Sequence, residues 1–399
     1  MLLENTKPLF LILVMINKFK KFIIYTINIP AYLISFFFPK YSNIWIFGAW
    51  QGFRYSDNSK YLFEYVSKNH KNIRCIWLTK SEVVINKLQK NGFEAYYSYS
   101  LQGYFYTAIS GIVIVSSALH DVNKFVINRS IKINLWHAIT LKKIGCDVDK
   151  EFSFKNRKPQ FSLKYFKYFI YPFLKVDYDF VIASSEENAK KMITAFNLQR
   201  DNIIISGLPR TDILKNRKKN DHAIVAYLPT FRDNSYFNYF ENFNTKSLNR
   251  YFQKKNIFFY YKTHFADESN WDLNEERIQE IPQDDIYAFL KSVDILITDY
   301  SSVFFDFCLS NRPIIFAPFD IKTYIAKDRE LYYNYEDVTP GPKCKSWQEV
   351  ITEIDSILNG NDSYRKDRET INKKFNKFND FKNSNRLAKE ILSLSENSN

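Results

Sequence analysis

The chain reads as α/β, built from two doubly wound units that face each other across a cleft. Three observations predict this. From Asn43 onward short apolar runs alternate with amphipathic ones, and the alternation restarts at Ala223. Between the two stretches, Ser206-Gly207-Leu208-Pro209-Arg210 supplies a glycine and proline break suited to a linker.

In chain order, Ile44 to Phe47 is a strand that stops at Gly48, and Lys60 to Lys68 is a helix. Ile73 to Leu78 is a strand, Val83 to Asn91 a helix closed by Gly92, and Ile112 to Ser116 and Ile131 to Leu135 are further strands. The second unit repeats the pattern with strands at Ala223 to Tyr227, Ile257 to Tyr261, Asp294 to Thr298 and Pro313 to Phe316. Beyond Trp347 the chain is polar and helical. The boundaries that follow are 1–40 for an amino-terminal segment, 41–207 and 208–375 for the two units, and 376–399 for a helical tail.

The 399 residues allow each unit its own core. With 46% hydrophobic residues and no long polar tract, the chain is globular and not disordered. A formal charge of +13 favours a polyanionic partner: nucleic acid, an anionic membrane or a phosphate-rich substrate. Cys75, Cys146, Cys308 and Cys344 are scattered without paired spacing, which reads as reduced core thiols and excludes a zinc cage or disulfide frame.

Phe22 to Phe38 carries no charge, is interrupted by Pro30 and is preceded by Lys18, Lys20 and Lys21. It is short for a spanning helix, which needs about 20 apolar residues, and lacks a small-residue cleavage site. A helix lying in the inner leaflet is the expectation, against a buried first helix as the plain alternative. Lys155 to Lys175 holds six basic and no acidic residues among seven aromatics. Such a segment suits a headgroup boundary, single-stranded nucleic acid or an ordinary core-facing helix; with the amino-terminal segment beside it, the membrane is preferred.

The chemistry gathers at strand ends. Thr298-Asp299-Tyr300-Ser301-Ser302 lies between an apolar strand and a helix-forming run, where a helix start offers amides to a phosphate, although serine also caps helices that bind nothing. His137 follows the strand Ile131 to Leu135, with Lys142 and Lys143 just beyond, and His264 follows Ile257 to Tyr261. One imidazole per unit at equivalent positions suits a transfer reaction that needs a base on one side and a proton donor or phosphate clamp on the other. Arg232 in Pro-Thr-Phe-Arg-Asp offers a fork for phosphate oxygens with Asp233 to orient it, or forms an ordinary loop pair. His70 and His222 receive no role, and His120 is left open.

Together these motifs resemble the CDP-glycerol glycerophosphotransferase family of teichoic acid primases and polymerases. The carriers are Trp136 to Gly145, Pro229 to Asp233, Lys262 to Phe265, Thr298 to Ser302, Asp57-Asn58-Ser59-Lys60-Tyr61 and Gly341-Pro342, in the family's order across about residues 40 to 360. The resemblance implies a GT-B fold of two Rossmann-like domains, acceptor side first and CDP-donor side second. It implies a peripheral or monotopic place on the cytoplasmic face of the bacterial plasma membrane, and transfer of glycerol or ribitol phosphate from a CDP-activated donor to a hydroxyl of a lipid-linked or saccharide acceptor, with release of CMP, for a teichoic acid or capsule-type polymer.

By the same likeness His137 is the base. His264, Arg232, Asp233, Thr298, Asp299, Ser301, Ser302 and Asp306 belong to the donor side, and Asp57, Asn58, Lys142 and Lys143 to the acceptor side. No dedicated metal site or required cofactor is implied, Mg²⁺ being admissible, and no nucleic-acid partner; the oligomeric state stays open. Ala138, Ile139-Thr140 and Phe265 depart from the family's Gly, Thr-Pro and Pro, and the first two adjoin the proposed base. A glycosyltransferase using a nucleotide sugar and a non-catalytic basic binding protein are the rival readings.

Overall fold

A computed structural model describes residues 6–148, 161–175, 177–232, 237–262, 273–281 and 285–396; for 6–14 and 161–165 the backbone alone is described. The first lobe contains β1 (Tyr41–Gly48), β2 (Arg74–Thr79), β3 (Glu94–Tyr97), β4 (Ser110–Val115), β5 (Ile131–Asn134), β6 (Phe180–Ala183) and β7 (Ile203–Ile205). Its helices are α1 (Thr6–Ser35), α2 (Asp57–Asn69), α3 (Glu82–Lys90), α4 (Leu101–Ile109), α5 (Phe161–Ile170) and α6 (Glu186–Phe196). The second lobe contains β8 (Ala223–Leu228), β9 (Ile257–Tyr261), β10 (Ile278–Glu280), β11 (Ile295–Thr298) and β12 (Ile314–Phe316). Around it lie α7 (Thr245–Lys254), α8 (Ile286–Leu290), α9 (Val303–Phe307), α10 (Ile321–Lys327), α11 (Tyr335–Val338), α12 (Trp347–Leu358) and α13 (Arg365–Phe375), and α14 (Asn383–Glu396) closes the chain.

Both sheets are parallel, in the orders β3-β2-β1-β4-β5-β6-β7 and β10-β9-β8-β11-β12. The chain order therefore reverses between β1 and β4 in one sheet and between β8 and β11 in the other. At such a point adjacent loops leave on opposite faces and open a crevice beyond the strand ends. The central strands are near-continuous apolar runs because helices cover both faces. Ile44 to Phe47 of β1 and the whole of β11 are buried.

The break at Ser206 to Arg210 is not a solvated linker. Ser206, Leu208 and Arg210 are buried, and a 3₁₀ turn follows over Pro209–Lys215. Apolar packing runs on from the first lobe through Leu208 and Leu214 to Leu290, Tyr300 and Phe304 of the second. The tail crosses back: the Asn383 side-chain amide donates to Leu208 O at 3.3 Å, and the Ser384 amide to Asp212 at 2.8 Å. Of the four cysteines, Cys75, Cys308 and Cys344 are buried as expected, whereas Cys146 is exposed on a 3₁₀ turn.

α1 is a continuous helix through Pro30. Tyr25 and Tyr32 face inward onto Phe173 at 5.9 and 5.7 Å between ring centres, while Phe19, Phe22, Ile23, Ile27 and Leu33 stand exposed. Phe166 and Phe169 of α5 are exposed too. Among the described residues no helix is long and apolar enough to cross a membrane.

Candidate active site

The first-lobe wall is shaped by a close approach. A Cβ on Gly48, the last residue of β1, would lie 2.5 Å from Asp121 O in the loop after β4, so only glycine fits where the two loops diverge. The chain then turns through Trp50, Gln51 and Gly52 at φ 49, 57 and 83°. This left-handed run costs energy that surrounding bonds must offset. Asp121 supplies them, accepting from the amides of Gln51 (2.6 Å), Ser116 (3.0 Å) and Ser117 (2.8 Å) and from the Ser117 hydroxyl. Burial still leaves its carboxyl above the usual range.

His137 lies just past β5. The Asn58 side-chain amide donates to Leu135 O (3.2 Å) and Trp136 O (2.8 Å), so the start of α2 fixes the peptide leading to the imidazole. The ring rests 4.2 Å from the Trp136 ring and 5.2 Å from Trp50, centre to centre. Its Nδ1 faces Ser116 O at 3.4 Å. A carbonyl only accepts, so Nδ1 carries the proton and Nε2 keeps its lone pair, the state a general base needs. Burial lowers the pKa; Asp57 and the Ser116 carbonyl oppose this, and Arg210 and Lys142 reinforce it.

Arg210 pins the lobes together beside that histidine. Its guanidinium donates to Asp57 at 2.8 Å, to the His137 carbonyl, and to Asp306 at 2.7 and 3.1 Å, and it lies over the Tyr287 ring at 4.8 Å. Its backbone amide donates to Asn58 Oδ1 at 3.2 Å. Asp306 is fully buried and also accepts from the Tyr287 hydroxyl. Its carboxylate thus takes part in the interlobe ion network through Arg210 and Tyr287.

The second-lobe wall is equally committed. Arg232 donates through Nε and Nη2 to Asp320 (2.8 and 2.7 Å) and through Nη1 to Asp299 (2.9 Å). Tyr300 and Tyr324 stack at 4.0 Å beside it, and the Tyr300 hydroxyl reaches Asp320 at 2.9 Å. Its orienting carboxylates are therefore Asp299 and Asp320; Asp233 and His264 fall outside the described residues. Asp299 also accepts from the Thr230 amide at 2.8 Å, and Thr298 donates to Leu228 O at 2.6 Å, tying the loops after β8 and β11 together.

Ser301 and Ser302 open α9, which runs only five residues before tightening into a 3₁₀ turn over Cys308–Ser310. The helix is shorter than the sequence pattern suggests and its dipole correspondingly small, so any anion there would be met by local amides and hydroxyls. Lys142 and Lys143 sit on another crossing. The Lys143 amide donates to Glu330 O at 2.9 Å, its ammonium pairs with the Glu330 carboxylate at 2.8 Å, and Lys142 bridges antiparallel to Leu331. A further crossing joins Lys60 and Tyr61 to Asp285.

Arg210, Asp121, Asp285 and Asp320 escaped sequence reasoning. Arg210 and Asp320 act through partners far along the chain, and Asp121 and Asp285 combine nearby partners with distant ones at Gln51 and at Lys60 and Tyr61. Among the described residues no three His, Cys, Asp or Glu side chains converge to hold a metal ion.

Two parallel α/β lobes joined by the buried Arg210 bridge beside His137, with a second arginine-carboxylate network at Arg232, suit a group-transfer enzyme. The chain belongs to the CDP-glycerol:poly(glycerophosphate) glycerophosphotransferase family, whose model matches residues 31–393. It is 28% identical to the teichoic acid poly(glycerol phosphate) polymerase of Bacillus spizizenii, over 80% of this chain and 85% of that one. It is 24% identical to the teichoic acid glycerol-phosphate transferase of Staphylococcus aureus, over 94% and 99%. The structure superposes on that of the wall teichoic acid polymerase TagF with a TM-score of 0.74 at 20% identity, covering 96% of this chain and 98% of the other, which establishes the shared fold.

Proposed function

We propose that the enzyme, a CDP-polyol phosphate transferase of teichoic acid synthesis by family, uses His137 as the base that activates the acceptor. The observation that carries this is the contact of His137 Nδ1 with the Ser116 carbonyl at 3.4 Å, which assigns the proton to Nδ1 and the lone pair to Nε2, at a residue whose own carbonyl accepts from the interlobe Arg210. His137 Nε2 takes the proton of the acceptor hydroxyl, whose oxygen attacks the phosphorus bearing the polyol. The new O–P bond forms as the bond from that phosphorus to the CMP oxygen breaks, and CMP leaves with the electron pair. His264 is assigned the role of proton donor to that oxygen or of a clamp on the diphosphate, and Ser301 and Ser302 at the start of α9 are assigned to the diphosphate as well. Such a reaction asks mainly for in-line placement and stabilised oxygens. Arg232 acts by holding Asp299 and the loop geometry, since its fork is already occupied.

The lobes correspond to a GT-B arrangement, with the acceptor on the first (41–207) and the donor on the second (208–375). The donor is CDP-glycerol or CDP-ribitol, the acceptor a lipid-linked or saccharide hydroxyl, and the product a wall or capsule-type polymer. The exposed apolar ridge of α1, Phe166 and Phe169 of α5, and Lys18, Lys20, Lys21 and Lys167 beside them support attachment to the inner face of the plasma membrane.

The test is CMP release by purified protein from CDP-glycerol and CDP-ribitol with a lipid-linked primer, with products identified by mass spectrometry. His137→Ala and His264→Ala are expected to abolish it; undiminished turnover in both would overturn the reading. Heat protection by UDP-sugars but not by CDP-polyols would point instead to sugar transfer.

A further inference from the structure

Next to the Trp50–Gly52 turn, basic groups from four parts of the first lobe converge. Lys80, just after β2, donates from Nζ to Gln51 O at 2.6 Å and His120 O at 2.9 Å. Lys124, beyond β4, is only 5% exposed, and its Nζ lies 3.1 Å from His120 Nε2. Lys21 of α1 and Lys167 of α5 lie close enough to depress the Lys124 ammonium, which burial first and then the charges of Lys167, Lys80 and Lys21 bring down to about 8. Burial and the Lys124, Lys80 and Lys21 charges hold His120 at about 4, so it is neutral and accepts from Lys124.

Among the described residues no carboxylate forms an ion pair with Lys80 or Lys124; Asp121, whose charge favours the Lys80 ammonium, spends its oxygens on the amides of Gln51, Ser116, Ser117 and Ala118 and on the Ser117 hydroxyl. Aromatic faces form the walls instead: Lys124 lies over Tyr25 (5.4 Å) and Phe125 (5.8 Å), and Lys80 over Phe53 (5.5 Å) and Tyr99 (5.7 Å). Like charges gathered in a half-dry place repel strongly, and a multivalent anion is the occupant that relieves them.

We propose that Lys80, His120 and Lys124, with Lys21 and Lys167 at the rim, form a phosphate subsite for the acceptor, gripping a diphosphate or phosphodiester carried next to the hydroxyl that His137 activates. The inference rests on the acceptor-side reading of His137. Position argues for it: the cluster lies between the membrane-facing α1 and the turn whose Trp50 ring packs on His137. An acceptor running from lipid to base passes through it. The burial of Lys124 favours one deep phosphate over general contact with headgroups.

The experiment uses the full chain, Lys80→Met with Lys124→Met, and Lys124→Arg. CMP release is followed with a soluble acceptor bearing a diphosphate and with the same acceptor lacking it. The double variant is expected to raise KM for the diphosphate acceptor at least tenfold while KM for CDP-polyol and for the phosphate-free acceptor moves less than twofold; Lys124→Arg should retain tight binding. Equal effects on both acceptors, or none, would overturn the proposal. So would loss of binding to phosphatidylglycerol vesicles without a KM split, because the cations would then serve bulk headgroups. Calorimetric titration of both acceptors without donor gives the same comparison independently of turnover. If the parent prefers the diphosphate acceptor but releases no CMP, the transfer reading fails while the subsite stands.

Discussion

Replacing Arg210 by methionine removes the buried cation that bridges Asp57 and Asp306, side chains that are 7% and 0% exposed. Breaking a buried pair by deleting one partner costs about 3–5 kcal/mol, because the remaining charge stays dry. Here two carboxylates lose the same partner, so the upper end applies. Against a total stability of about 5–15 kcal/mol, that is a large fraction. It corresponds to a drop in Tm of about 10–20 °C, taking about 2–4 °C per kcal/mol for lobes of this size.

The sign of the pH effect is fixed as well. Burial already raises the Asp306 carboxyl above its usual value although Arg210 lowers it. Without the arginine it rises further. A carboxyl with a folded-state pKa above its unfolded one binds a proton more readily when folded, so the variant regains stability as pH falls from neutrality toward 5, more steeply than the parent. Adding Asp57→Asn and Asp306→Asn should recover at least half of the loss. Urea titrations at pH 7 and pH 5 measure all three proteins. A loss under about 1 kcal/mol in the single variant, or a pH dependence identical to the parent's, would refute the reasoning, since a buried uncompensated charge cannot be that cheap.

His137→Gln should keep the fold and lower kcat about 10²- to 10⁴-fold, the usual span for a general base. Because burial lowers this imidazole, the acid limb of the parent's kcat profile should have its midpoint below the ordinary value of about 6.5, as stopped-flow CMP release across pH would show. Asn58→Ala orphans two backbone carbonyls at a cost of about 1–3 kcal/mol, and should depress kcat with little change in donor affinity. Phe22→Glu combined with Phe169→Glu removes two exposed rings, each worth about 1.5–3 kcal/mol when buried, and should weaken vesicle flotation more than tenfold with turnover on a soluble acceptor retained.

Periodicity and breakers located eight of the strands to within two or three residues, because buried parallel strands and their covering helices leave strong local patterns. β3, β6, β7 and β10 passed unnoticed: they are three or four residues long, and Glu94 and Gln279 interrupt the outer two. The position of His137 at a strand end was visible in the run before it. Its tautomer was not, since Ser116 lies on another strand's loop. The ion networks were invisible for the same reason. Family likeness alone places Asp306 on the donor side; its ion pair with Arg210 joins residues 96 apart in the chain and leaves no local trace. The break at Ser206 to Arg210 reads as a linker from composition; that its residues are buried depends on packing partners distant in the chain.

The chain passes between the lobes twice, once before the Pro209–Lys215 turn and again ahead of α14. With two covalent crossings, a shared apolar core and the buried Arg210 bridge, the lobes are laced together at several points, to which the antiparallel contact of Lys142 with Leu331 and the link from Lys60 to Asp285 add two more.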